Sequence, residues 1–91
     1  MLVADIRRTV AAHYGLTDAA MLNGCKRRHY ARPRQVAMWL ARNLTDKSLR
    51  QIGAAMGGRH HSTVLDGIRQ IDAMRPSIAP DIFAILGRLP A

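Results

Sequence analysis

A single cysteine, Cys25, stands in the 91 residues, so no disulfide can close within the chain and a reducing compartment fits. Glutamate is absent, and six aspartates face 14 lysines and arginines, a formal net charge of +8. So large an excess in one small domain favours a polyanionic partner, nucleic acid before an acidic membrane surface. Aromatics make up only 4% of the chain. Trp39 has no second aromatic at ligand spacing, which argues against stacked single strands and leaves it a core residue. No run reaches the length of a membrane span, and the N-terminus has no apolar signal core, so the chain reads as cytoplasmic with no membrane partner. Cys25 has no nearby catalytic partner, so an enzyme with a small-molecule substrate is not expected. His60 and His61, adjacent on a helix, point about 100 degrees apart with no third ligand, so neither a metal nor another cofactor is expected.

What remains is helical patterning. Val3, Ile6, Val10 and Tyr14 recur at three- and four-residue spacing, and Gly15 ends that helix. Thr17 caps a short second helix through Leu22, which Asn23-Gly24 breaks. Pro33 fits the first position of a third helix running to Leu44, with Val36, Leu40 and Leu44 as its apolar stripe. Ser48 and Gln51 have capping-box spacing, and Leu49, Ile52 and Met56 follow as one stripe. Gly57-Gly58 then closes the helix, and Val64, Leu65, Ile68 and Ile71 start another. Gly53, inside the first of this pair, costs about 1 kcal/mol against Ala, which makes sense where another backbone crosses closely. Arg75-Pro76 marks a break, and Pro80 starts a last helix carrying Ile82, Ile85, Leu86 and Leu89. The expectation is one all-α domain over residues 1–91, a bundle of about six helices containing a helix-turn-helix.

Charge and pattern meet at two places. Lys26, Arg27, Arg28, Arg32 and Arg34 crowd nine residues, with His29 among them. They read as a backbone clamp whose first residues enter a minor groove, against the alternative of a basic linker. Arg34 and Gln35 fall in the first turn of the third helix, where free amides favour a phosphate. The polar side of the last motif helix holds Arg59, Ser62, Thr63, Asp66, Arg69 and Gln70, a face able to approach a DNA groove. A plain solvated face is the alternative.

The string ARPRQVAMWLARNLTDKSLRQIGAAMGGRHHSTVLDGIRQI, Ala31 to Ile71, resembles the C-terminal DNA-binding domain of the bacterial replication initiator DnaA. Three pieces carry the likeness: A-R-P-R-Q, L-T-x-x-S-L-x-x-I-G, and G-G-R-x-H-[ST]-T-V leading into the recognition helix. The resemblance implies double-stranded DNA as partner, with short boxes at replication origins read by that helix in the major groove and a basic loop in the minor groove. It puts the minor-groove hook on Lys26, with Arg28 and Arg34 on the backbone beside it and Gln35 and Arg42 at backbone-contact positions; Arg27 joins the expected contact set from the basic cluster. Arg59 and Thr63 flank the reading head, and His61 and Ser62 fall on base-contacting positions. Leu49, Arg50, His60 and Asp66 complete the implied contact set. The chain departs from the family at His60, where Asp is usual, at Ser62, where Thr is usual, and at Arg50, where Pro is usual. Those changes bear on which sequence is preferred, and a protein-interaction or regulatory module with altered box specificity is the alternative. No G-x-x-x-x-G-K-[ST] loop is present, so a box competitor, a regulator or the tail of a longer initiator all stay open. One reading head fits a monomer, nucleoid-associated, with other replication proteins as candidate partners.

Overall fold

Six helices make up the computed structural model, which describes residues 1–90: α1 (Val3–His13), α2 (Asp18–Leu22), α3 (Arg28–Leu44), α4 (Leu49–Ala55), α5 (His61–Ala73) and α6 (Arg75–Leu86). No strand occurs among the described residues, so the chain is all-α. The central element is α3, which packs against α1, α2, α4 and α5. Its Val36, Ala37, Leu40 and Ala41 are buried, and Ile6 and Val10 of α1, Ile52 of α4 and Val64 and Ile71 of α5 close around them. Each large aliphatic buried in this way contributes about 1.5–3 kcal/mol. One buried charge ties three helices together. Arg7 of α1 forms a two-pronged pair with Asp18 of α2, at 2.7 and 2.9 Å, and donates to the Ala55 carbonyl at the end of α4, 2.7 Å away.

Two boundaries differ from the sequence expectation, both at prolines. The third helix starts at Arg28, upstream of Pro33, with Arg27 as its N-cap. A proline there removes one intrahelical bond, while the upstream turn is held by the Arg27 carbonyl, which accepts from the N–H groups of Tyr30 and Ala31. Likewise α6 starts at Arg75, with Pro76 in its first turn and Pro80 inside it. Leu44 and Leu86, expected inside, are 42% and 39% exposed, and Leu65 is half-buried. Trp39 sits at the core's edge, its indole N–H donating to Asp72 at 2.9 Å and its ring beneath the Arg75 guanidinium.

The pair α4 and α5 meets as the glycines require. Ser48 caps α4 in a reciprocal box with Gln51, and Gly57 and Gly58 take φ of 87° and 77° in the turn. A Cβ on Gly53 would collide with the Arg59 carbonyl, so the close approach expected at that glycine is real. The Gly53 carbonyl accepts from the N–H groups of Gly58 and Arg59, which fixes the turn.

Candidate nucleic-acid interface

Between the α2–α3 loop and α5 lies an open groove of about 520 Å³. Lys26, Asn23 and Gly24 line its loop side, Thr63, Asp66 and Gln70 its α5 side, and Gln35 and Met38 of α3 its floor. Gly67 lets α5 approach that floor, because a Cβ there would meet Met38 Cε at 2.8 Å. Asp66 is the one acid in the lining, and Gln35 holds its Oε1 buried and without a partner there.

The loop side is strongly positive. Lys26, Arg27 and Arg28 are exposed, and Arg28 is the first residue of α3. Cations at a helix N-terminus are opposed by the helix dipole unless an anion approaches. Here the exposed cations and the N-terminal end of α3 carry the same sign.

Two arginines of the expected contact set face inward. Arg34 is 5% exposed, and its guanidinium donates to the carbonyls of Met21, Ala20 and Cys25 and to the Asn23 side chain. Burial lowers its pKa from the usual arginine range, yet arginine stays charged at neutral pH. Held in this way, Arg34 fixes the C-terminal carbonyls of α2 and the shape of the basic loop. Arg59 behaves in the same way, donating to the carbonyls of Asn23 and Met56, so it holds the motif turn against that loop. Burial lowers its pKa, and the nearby Arg34 adds to the effect. Asn23 links the two arginines and also accepts from the Cys25 N–H at 2.9 Å. The sequence marked Asn23 only as a helix breaker; nothing in its spacing pointed to a partner 36 residues away.

At the start of α5 the polar residues lie together. His60 is the N-cap, its ring nitrogen accepting from the Ser62 N–H at 3.2 Å, and His60, Ser62, Thr63 and Asp66 are all exposed. His61 is the first helical residue, half-buried, with its ring 4.1 Å from that of His60. Desolvation at that position, with the neighbouring His60 and Arg50 adding to the effect, holds the His61 pKa below the usual histidine range. Arg50 is exposed in the first turn of α4 and Arg42 in the last turn of α3, neither lining the groove. Leu49 is half-buried against the core. Among the described residues no group of three or more His, Cys, Asp or Glu gathers as a metal site, and no helix is long and apolar enough to cross a membrane.

The comparisons with known proteins bear on residues in this same region. The family model described as bacterial DnaA protein helix-turn-helix matches residues 3–71. The chromosomal replication initiator protein DnaA of Caulobacter vibrioides strain NA1000 is 49% identical over 73 residues, covering 80% of this chain and 15% of the relative. That of Caulobacter sp. strain K31 is 42% identical over 90 residues, covering 96% and 18%. That of Sphingopyxis alaskensis is 47% identical over 73 residues, covering 80% and 16%. The chain thus spans less than a fifth of the length of these relatives. On the family match and these identities, the chain belongs to the bacterial DnaA helix-turn-helix family.

Proposed function

We propose that this chain binds double-stranded DNA in a sequence-preferring manner, as part of replication initiation or its regulation. The N-terminal end of α5 enters the major groove, the Lys26–Arg28 segment reaches the adjacent minor groove, and the strand between them runs along the open groove. The observation that carries this reading is that groove itself, with exposed cations on its loop side and exposed small polar side chains on its α5 side. Adjacent grooves of a duplex are separated by one phosphate backbone, so two such walls are what a strand between them requires. Lys26, Arg27 and Arg28 supply the charge; Arg34 and Arg59 hold the loop that presents them. Ser62, Thr63, His60 and Asp66 supply polar groups for base edges, with Arg42 and Arg50 as outlying phosphate contacts. Membership of the DnaA helix-turn-helix family supports the same partner. Selection from a random duplex library at two salt concentrations tests the proposal. Enrichment of one short box, weakened by salt, is expected; no retained duplex even at low salt would refute it and favour a protein-interaction module.

A further inference from the structure

The backbone N–H of Ser62 donates to the Nδ1 of His60 at 3.2 Å. A peptide N–H can only donate, so this Nδ1 is the acceptor and Nε2 is the ring nitrogen that carries an N–H. The Ser62 hydroxyl lies 2.7 Å from the same nitrogen. Capping the helix thus fixes the tautomer. His60 is exposed, and no protein partner engages its Nε2 among the described residues. The neighbouring His61 ring at 4.1 Å limits how far the imidazole can swing.

We propose that His60 determines base specificity by presenting Nε2–H as a hydrogen-bond donor to a major-groove base edge, and that it selects guanine. This rests on the duplex-binding role proposed above. Guanine offers two acceptors, N7 and O6, on its major-groove edge and no donor. Cytosine presents its N4 amine there, which opposes a second donor; adenine sets an amine beside its one acceptor, and thymine has O4 alone. A carboxylate at the same position would keep the cap and present an acceptor outward instead. One side chain therefore sets the polarity of the reading head while leaving the helix start intact.

The test uses the whole chain and three variants, His60→Asn, His60→Asp and His60→Ala, each in duplex selection at low salt. Asparagine caps through its oxygen and keeps an outward amine; aspartate caps equally well and has only acceptors. The original chain and His60→Asn are expected to enrich guanine at one position by about fivefold, the low end for a base contact, and His60→Asp to enrich cytosine there. His60→Ala is expected to lose the preference at that position while the flanking preferences persist. The same base enriched by the original chain and by His60→Asp would overturn the assignment to His60 and leave duplex binding standing. No retained duplex from any of the four at low salt would overturn both readings together.

Discussion

The guanidinium of Arg34 turns inward to three carbonyls and one side-chain amide, while the side chain of Arg28 on the same helix stays in solvent. Their substitutions should therefore separate cleanly. Arg34→Ala leaves several acceptors without a donor and is expected to lower stability by about 2–4 kcal/mol in urea unfolding. Arg28→Ala and Lys26→Ala should change stability by no more than about 0.5 kcal/mol, yet each should reduce the salt slope of duplex binding by about one. A second residue reports on pH. The Tyr14 hydroxyl is buried with no partner, and desolvation, then Asp81, push its pKa up to about 12, opposed by Arg32. An unfolded tyrosine ionises near ~10. The folded chain thus holds this proton longer than the unfolded one, and stability falls as pH rises from about 10 to about 12. Tyr14→Phe should flatten that alkaline limb without loss at pH 7, measured as thermal midpoint against pH.

At the scale of elements, the α4–α5 turn is a tight joint, closed over Gly53. Gly53→Ala gains about 1 kcal/mol in helix propensity but drives a Cβ into the Arg59 carbonyl. The net expectation is a loss of about 2 kcal/mol or more by chemical denaturation; a stabilised Gly53→Ala would contradict the close crossing. This joint was legible in the sequence, because Gly53, Gly57-Gly58 and the Ser48–Gln51 box are local signals with one physical meaning each. The helix starts at Arg28 and Arg75 were not legible. Pro33 and Pro80 each read as a first-turn proline, and only packing shows that a helix continues upstream of them. The inward role of Arg34 and Arg59 was hidden for a related reason: spacing gives a residue's local place, but all the acceptors of Arg34 and one of the two of Arg59 lie on α2 and the loop after it. The cluster of polar residues at the start of α5 was legible by position, while the His60–Ser62 contact was not.

The whole molecule measures 28 × 27 × 25 Å, which at ~3.4 Å per base pair spans about eight base pairs of duplex. A selected box should therefore be no longer than about ten base pairs; a longer continuous preference would require more than one copy. Loop and recognition helix are joined through Asn23, Arg34 and Arg59, so the two are expected to engage the duplex as one rigid unit. Dimethyl sulfate protection on an enriched box, flanked by A·T pairs, reports both grooves at once, because the reagent modifies guanine N7 in the major groove and adenine N3 in the minor groove. Protection of N7 within the box and of N3 in the neighbouring minor groove is expected, the latter lost in Lys26→Ala. Protection of N7 with N3 fully reactive, or of neither, would contradict engagement as one rigid unit.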